Sequence, residues 1–159
     1  MNLFKRLASL LLILALLASF TPSPSNAALL MPNEGEAQAL SVVLGKASAE
    51  TLTLKLFTSN TTPAEGDTSA TYTEAAGGGY AAINLTGASW TVTPGAPTEA
   101  VYPQQSWTFT GALTSGATIY GYYVVGATSG KVYWAERITA FTPANNGDVQ
   151  RVTPKFTQE

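Results

Sequence analysis

The chain has no histidine and no cysteine, so its acid–base chemistry near neutral pH rests on ten carboxylates. These are Glu34, Glu36, Glu50, Glu65, Asp67, Glu74, Glu99, Glu136, Asp148 and Glu159. Glycoside hydrolysis would need two of them facing each other across a cleft. Most fall in polar, turn-forming stretches, where acids are simply solvated. Only Glu136 lies inside a strongly patterned strand, as Trp134-Ala135-Glu136-Arg137. A strand acid next to Arg reads as an exposed or cross-strand ion pair, contributing about 0–1 kcal/mol. A serine nucleophile needs a base, and no histidine is available. No signature supports a Ser-Lys pair. The expectation is a non-enzymatic protein with no catalytic residue.

Metal and phosphate chemistry are similarly constrained. Oxygen donors alone suit calcium or magnesium and not zinc or copper. Glu65-Gly66-Asp67 lacks the ligand spacing of an EF-hand loop. Gly77-Gly78-Gly79 has no downstream Gly-Lys-Ser/Thr and reads as a flexible turn rather than a phosphate loop. No metal and no cofactor are expected. A formal charge of −2 argues against nucleic-acid binding, which needs a basic surface.

Aromatic residues carry the remaining chemistry. Tyr120, Tyr122, Tyr123, Tyr133 and Trp134 fall on two arms of one hairpin and form the candidate binding residues. Period-two alternation places Tyr120, Tyr122 and Val124 on one face and Tyr123 with Val125 on the other. One face is expected to enter the core and the other to expose tyrosine. The cluster therefore serves either as cross-strand core packing or as a binding surface for protein or sugar. Size and apolarity favour burial of Trp134 and exposure of Tyr123. An exposed coplanar pair among Trp90, Trp107 and Trp134 would favour sugar. Buried tryptophans beside a flat tyrosine patch would favour protein.

The elements that position these residues follow a leader. Lys5 and Arg6 precede an apolar run over residues 7–20, then prolines and small residues at Ser25 and Ala27. This is the pattern of a secretory signal cleaved after Ala27. The run is 14 residues long, too short for a spanning helix of about 20. No cysteine follows it, so a lipoprotein anchor is excluded. Cleavage leaves 132 of the 159 residues as one domain, 28–159, with no further membrane segment. Losing Lys5 and Arg6 takes the charge from −2 to −4.

Asn33 as N-cap, with Glu36 completing a capping box, predicts a helix over residues 34–46. Ala37, Leu40, Val43, Leu44 and Ala47 form its apolar stripe, and Gly45-Lys46 its end. Seven strands are predicted, over residues 52–56, 82–86, 89–93, 100–110, 118–125, 131–139 and 149–157. The fifth and sixth pair as a hairpin across Gly126-Ala127-Thr128-Ser129-Gly130. The last strand divides into Val149, Arg151, Thr153 and Lys155 on one face and Gln150, Val152 and Phe156 on the other. Twenty-one threonines after residue 27 suit solvent-facing strand positions. The expected fold class is all-β, an antiparallel β-sandwich or jelly-roll-like domain with one short N-terminal helix.

Eight stretches also resemble a group of small tailed-phage proteins. They are Leu30-Met31-Pro32-Asn33-Glu34-Gly35-Glu36, Leu54-Lys55-Leu56-Phe57-Thr58, Tyr72-Thr73-Glu74-Ala75 and Tyr80-Ala81-Ala82. After these come Gln104-Gln105-Ser106-Trp107-Thr108-Phe109, Tyr120-Gly121-Tyr122-Tyr123-Val124-Val125, Val132-Tyr133-Trp134-Ala135-Glu136 and Val152-Thr153-Pro154-Lys155-Phe156. Together they cover most of residues 29–157, in the same order. The resemblance implies a virion structural component of decoration or fibre-associated type, and it brings no catalytic residue. The expected function is protein–protein association with other copies of the chain and with virion or cell-surface proteins. A secreted carbohydrate-binding module, using exposed Trp and Tyr on polysaccharide, is the alternative. The leader implies export to the periplasm or beyond, and the resemblance implies the virion. After leader cleavage no membrane contact is expected.

Overall fold

The computed structural model describes residues 29–158, and the leader expected over residues 1–27 lies outside them. One α-helix and nine strands are present among the described residues. The helix is α1 (Asn33–Val43). The strands are β1 (Leu52–Phe57), β2 (Ile83–Leu85), β3 (Thr91–Thr93), β4 (Thr98–Val101) and β5 (Gln105–Thr108), then β6 (Ile119–Gly126), β7 (Val132–Phe141), β8 (Val149–Val152) and β9 (Lys155–Gln158). All the pairings are antiparallel. The fold is an all-β sandwich with one short N-terminal helix, as the period-two patterning predicts.

The main sheet has the order β2-β1-β6-β7. Its central strand, β6, is buried along nearly its whole length. Leu54, Leu56, Tyr122, Val124 and Trp134 enter the larger core, while Phe57, Tyr123, Val125, Val132 and Ala135 enter a second one. Both faces of the sheet are therefore covered, and the expectation of one exposed tyrosine face is overturned. The segment that follows β1 folds back over the second face before Ala75 and Tyr80 join the larger core. It brings Tyr72 to 5.0 Å from the Phe57 ring and stacks it on Tyr123 at 5.0 Å. Tyr120 also changes sides. The register shifts between Ile119 and Gly121, so Tyr120 packs with Tyr123 and not with Tyr122. A bulge lets two residues on one arm oppose fewer on the other, which breaks strict alternation.

Opposite the main sheet lies a long antiparallel ribbon bent at its middle. Strands β4 and β9 pair at one end, and β5 and β8 at the other. Predicted strands 100–110 and 149–157 are each split in two at this bend, which makes nine strands of seven. The causes are Pro103 and Pro154, which cannot donate to a ladder. One bond bridges the corner, from the Tyr102 amide to the Pro154 carbonyl at 2.9 Å. Trp107, Phe109 and Val152 point into the larger core, and Phe156 packs against it. The face carrying Val152 and Phe156 is thus the inward one. Arg151 and Lys155 are exposed.

Helix α1 differs from its expected form in its cap and in the face it buries, while its stop falls at Gly45-Lys46 as expected. Pro32 holds the N-cap position and no side chain caps the helix, so the Asn33–Glu36 capping box does not form. Proline is favoured near a helix start because its missing donor has no partner there anyway. The C-terminus closes as a Schellman turn. Gly45, at φ +70°, donates to the Val42 carbonyl, and Lys46 to the Ser41 carbonyl at 2.7 Å. The helix meets β7 through Gly35, which is buried. A Cβ there would sit 2.5 Å from the Val132 carbonyl oxygen, so only glycine permits this approach. The predicted apolar stripe faces outward instead. Leu40, Val43 and Leu44 are 61%, 81% and 70% exposed.

Burial on both faces equalises two residues expected to differ. Trp134 and Tyr123 are each 3% exposed. Trp134→Ala should cost about 3–5 kcal/mol and Tyr123→Ala about 3 kcal/mol, since both empty a packed core site. Urea melts of both variants should show strongly lowered midpoints. A parent-like midpoint for Tyr123→Ala would contradict the second core.

Candidate functional site

The five aromatic candidates divide by depth. Tyr122, Tyr123 and Trp134 are buried, and Tyr120 and Tyr133 are half-buried. The structure brings all five onto the β6–β7 hairpin, but on opposite faces. Each already has partners within the chain. Tyr122 donates a short hydrogen bond to Glu136 Oε2. Burial, then the Glu136 carboxylate, pushes its phenol well above the usual tyrosine range. The Trp134 indole nitrogen lies near the same hydroxyl but closes no hydrogen bond with it. Arg137 sits 5.2 Å above the Tyr120 ring and donates to the Thr61 carbonyl at 2.6 Å. Glu136 and Arg137 therefore act on opposite faces, and Glu136 is held across the strands by Tyr122 rather than in an ion pair. Alternation along a strand sends adjacent residues to opposite faces.

At the turn end of the hairpin, two acids hold the backbone. The register shift between Val124 and Val125 leaves Tyr133 as an extra residue on β7. The Glu34 carboxylate accepts from the Val132 amide at 2.7 Å, beside this bulge. Glu50 reaches the turn, accepting from the amides of Thr128 and Ser129 at 2.9 Å each, and from the Ser129 hydroxyl at 2.7 Å. The Tyr133 hydroxyl donates to it as well, at 3.1 Å. Burial, then the bond to Glu50, pushes the Tyr133 phenol up to about 12.

The other acids have similar duties. Asp67 accepts from the Tyr72 hydroxyl at 2.7 Å and from the Ala64 amide at 2.8 Å. Glu74 binds Lys55 at 2.8 Å and accepts from the Tyr80 hydroxyl. Asp148 accepts from the amides of Ala144 and Asn145, which hold its carboxyl below the usual range. No group of three acids converges on a point that could hold a metal ion, among the described residues.

Two of the surface depressions adjoin the candidate residues. A polar basin of about 530 Å³ lies over the second face, lined by Thr53, Lys55, Glu74, Tyr72 and Tyr123. Its charged groups already neutralise each other. The second depression is an apolar groove of about 590 Å³ between α1, the bulged part of β7 and the outer edge of β9. Leu29, Met31, Ala39, Leu40, Val43 and Phe156 line it, and Glu36 sits on its rim. Trp134 forms part of its floor. Sequence reasoning marked the helix stripe but assigned it no surface role. The available signal was Gly35, which begins a second stripe with Gln38 and Val42 on the opposite side of the helix.

The tryptophans offer no sugar platform. Trp107 and Trp134 are buried, and Trp90 meets Trp134 edge-on at 73°.

Acid sensitivity should trace to Glu50 together with Asp148, whose carboxyl is lowered as well. Burial raises the Glu50 carboxyl pKa, but the Ser129 amide and hydroxyl, the Thr128 amide and Tyr133 together lower it below the ordinary 4.5. A folded pKa below the unfolded one adds stability above the unfolded value, and that stability is lost as pH falls through the folded one. Melting temperature should therefore drop below about pH 4.5. Glu50→Gln should flatten part of that acid limb and lower stability near neutrality. An unchanged acid limb would show that Glu50 does not contribute to it.

No family model, no curated protein and no solved structure matches this chain.

Proposed function

We propose that the chain is a non-enzymatic association module that works as a virion-type structural component. Its working surface is the outward face of α1 together with the adjoining groove, and the deep hairpin aromatics serve as its rigid backing. One observation carries this reading. Three of the four exposed large aliphatic side chains among the described residues, Leu40, Val43 and Leu44, cluster at one end of one helix. Single exposed apolar residues are ordinary, but a cluster beside an apolar groove marks a binding surface. The groove is shallow and holds no charged pair, which suits a protein face more than a small polar ligand. The carbohydrate reading loses support, because it needs coplanar exposed tryptophans. The apolar run of residues 7–20 is proposed as an export signal, and the virion class rests on the eight sequence stretches alone.

The surface is tested with the chain from residue 28 onward, which contains all nine strands and both cores. Its mass by sedimentation should rise with concentration across the micromolar range, which is typical of modest interfaces. Val43→Glu should abolish that rise and leave the melting temperature within a few degrees of the parent, since Val43 is 81% exposed. A strictly monomeric parent would refute the reading. The export proposal has its own test. Mass spectrometry of the exported protein should find Ala28 at its N-terminus, and an intact Met1 would refute it.

A further inference from the structure

We infer that the partner of the α1 face is a second copy of the same chain, docked antiparallel about a two-fold axis at the level of Ser41; this rests on the association reading above. The argument begins with charge. Glu36 lies on the outward stripe, one turn before Leu40, and Lys46 lies in the Schellman turn that ends the helix. Both are exposed, and neither forms an ion pair among the described residues. They stand five positions on either side of Ser41. Two copies packed antiparallel about that level set each Glu36 against the partner copy's Lys46, twice. Parallel packing would set like charges together.

Side-chain size obeys the same symmetry. Ala39 and Val43 stand two positions on either side of Ser41, and both line the groove. The antiparallel pair therefore sets a large residue over a small one on each side. A two-fold interface must be self-complementary in this way, with residue i meeting j and j meeting i. Ser41 does not obstruct the approach, because its hydroxyl turns back to the Ala37 carbonyl at 2.8 Å. Leu40 and Leu44 supply the apolar centre, and the Glu36–Lys46 pairs form the polar rim.

Charge reversal tests the pairing, again in the chain from residue 28 onward. The parent should reach a limiting mass of two chains. Glu36→Lys and Lys46→Glu should each weaken dimerisation about tenfold or more, since each puts two like-charge contacts into the dimer. The double variant should return to within about threefold of the parent. Both residues exchanged are exposed, so circular dichroism and melting temperature should not change. Association that stops at another order, or that ignores both charges, overturns the antiparallel pair and leaves the association reading standing. A dimer indifferent to the charges but lost in Thr157→Pro would instead assign contact to the open β9 edge. A monomer that takes up a synthetic peptide of residues 7–20 would give the groove to the chain's own leader and overturn the pairing. A monomer under all conditions overturns both readings.

Discussion

The structure depends on burying β6 from both sides. Its residues from Ile119 to Val125 send Tyr122 and Val124 into one core and Tyr123 and Val125 into the other. A strand in that position needs two covering layers. The bent ribbon of β4–β5 and β8–β9 is one. The segment carrying Tyr72 is the other, and it is irregular because it must close over the stacked rings while satisfying its own backbone. Asp67 and Glu74 meet that need, accepting from a backbone amide and from phenols that would otherwise be unpaired. Buried polar groups left unsatisfied cost about 1–3 kcal/mol each. With no disulfide to constrain the unfolded chain, the two cores must supply the stability.

Six of the ten carboxylates are put to structural use in this way. Glu34 and Glu50 hold the hairpin bulge and turn, Glu136 accepts from Tyr122, and Asp148 closes the turn before β8. Each is consumed by a backbone amide or phenol close to it. A general acid or base must instead face a reacting group with its protonation near the working pH. The shifts seen here fall mainly on tyrosines that donate to these acids, or are simply buried, and their phenols are pushed up and stay neutral. That is the behaviour of structural donors.

Legibility in the sequence followed the range of the physics. The β1 alternation, the β6–β7 hairpin and the Gly45 helix stop are local, and each formed where patterning put it. The double-sided burial of β6 had a signal as well. Tyr122-Tyr123-Val124-Val125 is a continuous apolar run, and strands covered on both faces read that way. Strict alternation, by contrast, places Tyr123 outside. The bulges that moved Tyr120 and set off Tyr133 depend on pairing partners far away in sequence, so no local pattern reveals them. Pro103 and Pro154 are local signals of ladder breaks, yet the predicted strands 100–110 and 149–157 run through both. That the two breaks meet at one corner, so that both strands change sheets together, is a tertiary fact.

The helix makes the final point about function. An 11-residue helix is marginal in isolation and takes its stability from packing. Here that packing runs through Gly35 and the side of the helix facing β7, with Glu34 bonded to the Val132 amide. The stripe of Leu40, Val43 and Leu44 takes no part in it. Three large aliphatic side chains in water add nothing to the fold and lower solubility. Polar residues at those positions would satisfy the helix equally well, since lysine, glutamate and glutamine match leucine in helix propensity and exceed valine. The fold thus accounts for one side of α1 completely and for the other not at all. The unaccounted side also carries unpaired charges of opposite sign, equally spaced about its middle. A surface with self-complementary charge and size is what a two-fold contact requires, and it is the one feature of the described chain that packing within a single copy leaves without a use.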